Sequence, residues 1–263
     1  KTIHLDLHLV PFFKSKPLSG ITTFDVERYK KGRLKECGKP ATVNRDLSTL
    51  RHLLGKAVDW KWIPALTVKV SKLKEGSGRI VYLTADQAEK LLAAARTDTN
   101  FAVHPFIQIG LETSMRRMEI LSIRIEHVDL DRRVIYIHKA KSGAREQPIT
   151  ENLTHYLRKR MKALGPDQEW LFPSKRSARG HTVSIEKAFR RVVTAAGLDP
   201  TQVVRHTLRH TAITHLVQSG VDLPTVKRIA GHSDIKITEK YAHQNSAHIQ
   251  AAMDKLEGRY RGK

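Results

Sequence analysis

Apolar residues recur at helical spacing in the first part of the chain. Between Ala41 and Trp60 they fall every three or four residues, which predicts an amphipathic helix. The members of this stripe are Val43, Leu47, Leu50, Leu54 and Val58. A second helix is predicted between Thr22 and Leu34. We therefore expect a small helical domain over residues 1–63.

The opposite face of the Ala41–Trp60 helix is basic, which fits either a solvated surface or contacts with phosphates. Its candidate DNA-binding residues are Arg45, Arg51, His52 and Lys56. Beyond Pro64 the periodicity fades into a stretch with lysines and glycines, which is typical of a flexible linker. We predict a basic linker over residues 64–82. Its further candidates for DNA contact are Lys69, Lys72 and Lys74.

Residues 83–263 predict a larger domain with mixed elements. Thr84 and Gln87 have capping-box spacing and mark the start of a helix. Further helices are expected at about Phe101 to Leu111 and Met115 to Ile123, followed by strands near Val128, Val134 to His138 and Gln147 to Ile149, with a turn at Ser142-Gly143. The remainder is predicted to be helical and to end in a helix at Ser246 to Leu256. The fold class expected is mainly α with a small antiparallel β-sheet.

The net charge of the chain says more about its binding partner than its length does. The 263 residues include 47 Lys+Arg against 26 Asp+Glu, a formal net charge of +21 whose natural partner is a polyanion. No apolar run has membrane-spanning length and no signal-peptide core is evident, so nucleic acid is favoured over a membrane. The single Cys37 excludes an internal disulfide framework and fits a reducing compartment, the cytoplasm or nucleoid. Because the chain starts at Lys1 without Met, we expect that a preceding segment has been removed.

Candidate chemistry appears in three motifs of the second domain. Thr113-Ser114-Met115-Arg116-Arg117-Met118-Glu119 comes first. His206 and Arg209 lie three residues apart, so a cation and a titratable group share one helical face. Gly231-His232 and, nine residues beyond this histidine, Tyr241 complete the set. Each motif alone is weak evidence, and their joint order is specific.

This order and spacing resemble the tyrosine recombinase (phage integrase) family. The resemblance covers about Thr84 to Leu256, and the first domain resembles the family's core-binding domain more loosely. It implies a two-domain clamp that grips double-stranded DNA and a tetramer assembled on DNA through the C-terminal helix. The implied catalytic set is Arg116, Lys141, His206, Arg209, His232 and the nucleophile Tyr241, with Glu119 supporting the first arginine. One departure is Ser114, where the family usually has glycine.

The chemistry of these residue types fits phosphoryl transfer. A phenol with a pKa of about 10 is roughly 0.1% ionised at neutral pH, so Tyr241 needs a base, for which His206 is the candidate. Arg116 and Arg209 can bind the non-bridging oxygens, and Lys141 can protonate the leaving 5′ oxygen. His232 is left to bind the phosphate or to orient the tyrosine. The expected product is a 3′-phosphotyrosine link, formed without a metal or another cofactor.

Several alternatives stay open at the level of sequence. Lys139 lies two residues from Lys141 and on the same strand face, so it competes for the role of acid. A type IB topoisomerase or a resolvase would use the same chemistry, and a DNA-binding regulator would carry an unused catalytic set. The i, i+4 spacing of His206 and His210, with His215 nearby, also suggests a zinc site, but no third ligand is obvious. The last helix packs on its own domain or on a neighbouring protomer.

Overall fold

A computed structural model describes residues 2–76, 78, 80–138, 143–242 and 253. The chain divides into two compact units, unit 1 (Lys1–Arg79) and unit 2 (Ile80–Lys263), and the division falls within residues 64–82. Across these described residues, no helix has both the length and the apolar character needed to cross a membrane.

Unit 1 is helical. Its elements are α1 (Thr2–His4), a π-helical turn (Leu5–Leu9), α2 (Val10–Phe13), a 3-10 turn (Leu18–Gly20), α3 (Thr23–Cys37) and α4 (Pro40–Asp59). A reciprocal capping box between Thr22 and Asp25 starts α3, and Gly38 ends it with φ +64°. In α4 the predicted stripe forms the core, since Val43, Leu47, Leu50 and Leu54 are at most 1% exposed.

The described part of the predicted linker is hydrogen-bonded to α4. It has no helix or strand, yet Val68 is buried in the core of unit 1. The amide of Asn44 donates to the carbonyl of Leu73 (2.9 Å), and its oxygen accepts from the Leu73 N–H (2.8 Å). Lys69, Lys72 and Lys74 are exposed along this anchored segment.

Unit 2 combines helices with one small sheet. Its helices are α5 (Ala85–Arg96), α6 (Val103–Thr113), α7 (Arg117–Leu121), α8 (Glu151–Leu164), α9 (Glu186–Ala195), α10 (Arg205–Gln218), α11 (Leu223–Ala230) and α12 (Ile235–Glu239). A 3-10 turn (Ile125–His127) leads into β1 (Val128–Asp129), β2 (Val134–Ile137) and β3 (Arg145–Pro148). The strands form an antiparallel sheet in sequence order, with Ile135 opposite Gln147.

Two predicted boundaries differ from the structure. The helix expected from Met115 begins at Arg117, because Ser114 takes a left-handed conformation and Arg116 is an extended N-cap residue. The Phe101 to Leu111 helix runs instead from Val103 to Thr113. The predicted Ser142-Gly143 turn lies partly outside the described residues, as does the final helix at Ser246 to Leu256, where only Met253 is described.

Helices α6 and α10 pack closely, and this contact brings the site together. At Gly110 an added Cβ would lie 2.9 Å from Cδ1 of Leu208, so a side chain there would force the helices apart. The close approach sets the end of α6, with Ser114 and Arg116, beside the face of α10 that carries Arg209.

Candidate active site

Arg209 is the most buried of the described residues in the predicted catalytic set. The residue is 3% exposed, and its guanidinium donates to two backbone carbonyls, Nη1 to Ser114 (2.6 Å) and Nη2 to Ala230 (2.7 Å). Burial, followed by the charge of Arg116, lowers its pKa to about 10, so it stays a cation at neutral pH. Two fixed acceptors set the plane of the guanidinium.

Arg116 lies at the N-terminus of α7 and is bound to the buried Glu119. Its backbone N–H and its Nη1 donate to the two carboxylate oxygens of Glu119 at 3.0 and 2.9 Å. Its Nη2 donates to the carbonyl of Gly231 at 3.1 Å. Glu119 thus holds the guanidinium of Arg116, and the side chain of this arginine stays partly exposed, where it can meet a ligand.

Arg145, at the start of β3, was missed by the sequence analysis. Its Nη2 donates to Glu119 at 3.1 Å, so one carboxylate holds two arginines. Its Nε and Nη1 are buried without a hydrogen-bond partner among the described residues. Burial lowers the pKa of Arg145. A Cβ on Gly231, which has φ +62°, would lie only 2.3 Å from Nε, so this glycine makes room for the arginine. Proximity to Lys141 was the only signal in the sequence.

His232 follows the left-handed Gly231 that ends α11. It is buried, and its Nδ1 lies 2.9 Å from the hydroxyl oxygen of Thr238 in α12. Burial lowers its pKa to about 4, with Arg209 and Arg116 as the next causes, so the ring is neutral at pH 7. Thr238 holds one ring nitrogen and leaves Nε2 for another partner.

Tyr241 is buried and its hydroxyl is bonded to His210, not to His206. The ring is 4% exposed and packs with Ile213, Val217 and Val226. Its hydroxyl lies 2.5 Å from Nδ1 of His210. Burial raises the pKa of Tyr241, partly opposed by Arg209. His206, the residue that the sequence favoured as the base, is not the hydrogen-bond partner of this hydroxyl in the structure.

His206 is exposed on α10 and stands edge-to-face to His210, with ring centroids 4.6 Å apart. With Arg209, Arg117 and Arg205 it also lines a cavity of about 260 Å³. The predicted residues Arg116, His206, Arg209, His232 and Tyr241 thus come from four separate stretches of unit 2 and meet beside α10.

Comparison with known proteins decides the family. The model of the phage integrase family matches residues 81–248, well over half of the chain. The chain belongs to the phage integrase family. It is a tyrosine recombinase, an enzyme that binds DNA and catalyses its cleavage and rejoining, as the sequence motifs predicted.

Relatives of this recombinase span most of its length. It is 29% identical over 237 residues to the tyrosine recombinase XerC of Erythrobacter litoralis (strain HTCC2594), a match that covers 85% of this chain and 76% of that protein. It is 27% identical over 274 residues to the shufflon-specific DNA recombinase of Escherichia coli, covering 96% of this chain and 68% of the relative.

Solved structures match the recombinase over both units. The Tn1549 transposon integrase in complex with transposon right end DNA has a TM-score of 0.79 at 22% identity, covering 97% of this chain and 93% of that one. The XerH site-specific recombinase bound to palindromic difH substrate, in a post-cleavage complex, has a TM-score of 0.70 at 20% identity, covering 90% and 73%. The predicted fold class, mainly helical with a small antiparallel sheet in a two-domain recombinase, is confirmed.

The hairpin lysine of the recombinase lies outside the described residues. Lys139 and Lys141 fall between Ile137, which ends β2, and Arg145, which begins β3. The choice between them stays a prediction.

The DNA-binding candidates of unit 1 are exposed, with one exception. Arg45, Arg51 and His52 lie on the open face of α4. Lys56 is only partly exposed and pairs with Asp59 at 3.0 Å. In the part of the chain that the structure describes, no group of three or more His, Cys, Asp or Glu residues is arranged to hold a metal.

Proposed function

We propose that this recombinase cuts one DNA strand with the hydroxyl of Tyr241 and forms a 3′-phosphotyrosine link. The phenol oxygen bonds to phosphorus, the bond from phosphorus to the 5′ oxygen breaks, and a free 5′ hydroxyl leaves. A 5′ hydroxyl from another strand then reverses the reaction and completes recombination. The observation that carries the proposal is the joining of Arg209 to both Ser114 and Ala230, beside Arg116 and the buried Tyr241.

Four side chains are suited to the scissile phosphate. Arg116 and Arg209 are held by backbone and carboxylate acceptors, so their charge is oriented before DNA binds. The neutral His232 and the exposed His206 supply further hydrogen bonds. Lys141 protonates the leaving oxygen, as the resemblance implies. The fixed cations neutralise the phosphate, so the reaction needs no metal, and we expect cleavage to proceed in EDTA.

Unit 1 is proposed to be the core-binding domain, contacting the duplex through Arg45, Arg51, His52, Lys69, Lys72 and Lys74. The net charge of +21 supports a large electrostatic contribution, so binding should weaken steeply with salt. We further propose that the protein acts in the cytoplasm on nucleoid DNA and assembles as a tetramer through its C-terminal helix. Deleting residues 246–263 and measuring assembly on DNA tests this last point.

The central experiment uses a nicked suicide duplex, from which the short leaving strand diffuses away. The wild-type protein is expected to accumulate a covalent protein–DNA adduct, and Tyr241→Phe is expected to form none because it lacks the attacking oxygen. An adduct formed by Tyr241→Phe would show that another residue is the nucleophile. Recombinant products, rather than relaxed plasmid alone, distinguish strand exchange from topoisomerase activity.

A further inference from the structure

The hydroxyl of Tyr241 is hydrogen-bonded to the imidazole of His210. It lies 2.5 Å from Nδ1 of His210, at the short end for a hydrogen bond, in a site where the tyrosine is 4% exposed. Among the described residues, His210 is the hydrogen-bond partner of the phenol oxygen. The ring of His206 packs edge-to-face against the ring of His210. His206 makes no hydrogen bond to the Tyr241 hydroxyl.

Both partners of this hydrogen bond are neutral at pH 7, so the tautomer of His210 sets its direction. Burial, then the neighbouring His206 and Arg209, lowers the pKa of His210 to about 4, so its ring is neutral at pH 7. Burial raises the pKa of Tyr241, so the phenol keeps its proton. In the tautomer of His210 that carries its proton on Nε2, the phenol donates and Nδ1 accepts, which is the arrangement that a general base needs at the start of attack.

We infer that His210 is the general base that takes the proton of Tyr241 as its oxygen attacks the DNA phosphorus. This inference rests on the proposed role of Tyr241 as nucleophile. The bond between the phenol oxygen and phosphorus forms, the bond from phosphorus to the 5′ oxygen breaks, and the phenol proton moves to Nδ1, giving an imidazolium. The 5′ oxygen receives its own proton from a separate acid. In the rejoining step the imidazolium returns its proton to the departing phenol oxygen.

The charges around His210 couple this proton transfer to DNA. The groups that face it are His206 and Arg209 of α10, His232 after α11, and Tyr241 after α12. Burial, His206 and Arg209 oppose a positive charge on the His210 ring. A scissile phosphate bound at the arginines brings negative charge beside the ring and favours the imidazolium. The base therefore becomes stronger when the substrate is in place.

The test measures single-turnover cleavage of a nicked suicide duplex, built on the sequence to which the wild-type protein becomes linked. His210→Ala and His210→Gln are compared with wild type from pH 6 to pH 9.5, and His155→Gln is the matched control. His155 is an exposed histidine of α8 bonded to the carbonyl of Glu151 in its own helix. Thermal unfolding and DNA affinity of each variant are measured in parallel, and whichever His210 variant keeps both is used for kinetics.

Loss of the base is expected to slow cleavage by about 100-fold or more near pH 7. The deficit should shrink by about tenfold for each pH unit, because the phenolate fraction grows tenfold per unit and needs no base. Replacing the 5′ bridging oxygen by sulfur, a leaving group that needs no acid, should not restore the rate. His155→Gln should cleave like wild type.

Three results for the His210 variants would overturn the inference. They are cleavage within about threefold of the wild-type rate at pH 7, a rate deficit that does not change with pH, and rescue of the rate by the sulfur substrate. Tyr241→Phe distinguishes failure of the proposed nucleophile from failure of the proposed base. If it still forms an adduct, the proposed nucleophile is wrong; if it forms none while the His210 variants cleave normally, only the role of His210 fails.

Discussion

The carbonyl of Ser114 accepts a hydrogen bond from Nη1 of Arg209 at 2.6 Å, and it does so from a left-handed backbone conformation with φ +57°. This conformation aims the carbonyl back at α10 and turns the chain so that Arg116 caps α7. Ser114 thus takes a left-handed conformation, which glycine adopts without a steric cost. Its own hydroxyl is buried without a hydrogen-bond partner among the described residues.

Replacing Ser114 by glycine should therefore stabilise unit 2. A side chain in the left-handed region costs about 1–2 kcal/mol, partly offset by the greater chain entropy of glycine, so the expected gain in free energy of unfolding is about 1 kcal/mol. Urea unfolding measures it. Ser114→Ala is the control, because it removes the hydroxyl and keeps the backbone strain. A glycine variant less stable than wild type would mean that the strain is absent.

Arg209→Lys should bind DNA nearly normally and cleave about 100-fold or more slowly. An ammonium group cannot span the carbonyls of Ser114 and Ala230 as the planar guanidinium does. Filter binding and single-turnover cleavage separate the two effects. Arg191→Lys is the matched control, since Arg191 makes an exposed two-pronged pair with Asp98 (both 2.7 Å). Parallel loss of binding and cleavage would assign Arg209 to backbone anchoring alone.

Alanine substitutions at three glycines distinguish the effect of backbone strain on stability from that of steric conflict. Gly55→Ala, in α4 with open space around its Cβ, should stabilise unit 1 by about 0.5–1 kcal/mol. Gly197→Ala meets no neighbour but has φ +70°, so it should destabilise through strain. Gly231→Ala adds the 2.3 Å conflict with Arg145 to its positive φ and should cost the most, with a loss of cleavage rate. Equal effects of Gly197→Ala and Gly231→Ala on unfolding would mean that Arg145 moves away freely.

Acid should destabilise unit 2 before its carboxylates titrate. The pKa of both His210 and His232 is lowered from 6.5 to about 4, so between these values the unfolded chain binds protons that the folded unit excludes. The free energy of unfolding is therefore expected to fall as pH drops from 6.5 to 4 and to recover as pH rises. His210→Gln with His232→Gln should flatten this slope, whereas His155→Gln should leave it intact. A wild-type profile that is flat over this range would contradict the neutral, buried state of the two rings.

The sequence was informative where spacing along one element decides the geometry. His206 and Arg209 share one face of α10 wherever this helix packs, because they are three residues apart. The apolar stripe from Val43 to Leu54 likewise had to face the core of unit 1. These regularities depend on local structure alone. The family motifs then supplied the remaining members of the site.

The partner of Tyr241 could not be read from the sequence. His206 and His210 lie one turn apart on α10. Which of them bonds to the hydroxyl of Tyr241 depends on where α12 positions the tyrosine. The contact of Arg145 with Glu119 and Gly231 was hidden for the same reason, because it joins β3, α7 and the end of α11. Both relationships come from tertiary packing, which no single motif encodes.

The most direct test of the central claim locates the covalent bond. The adduct trapped on a nicked suicide duplex is digested with nuclease and trypsin, and the modified peptide is sequenced by mass spectrometry. We expect a nucleotide joined through its 3′ phosphate to Tyr241, in the peptide that runs from Tyr241 to Lys255. A 5′-linked nucleotide, or a nucleotide on any other residue, would contradict it.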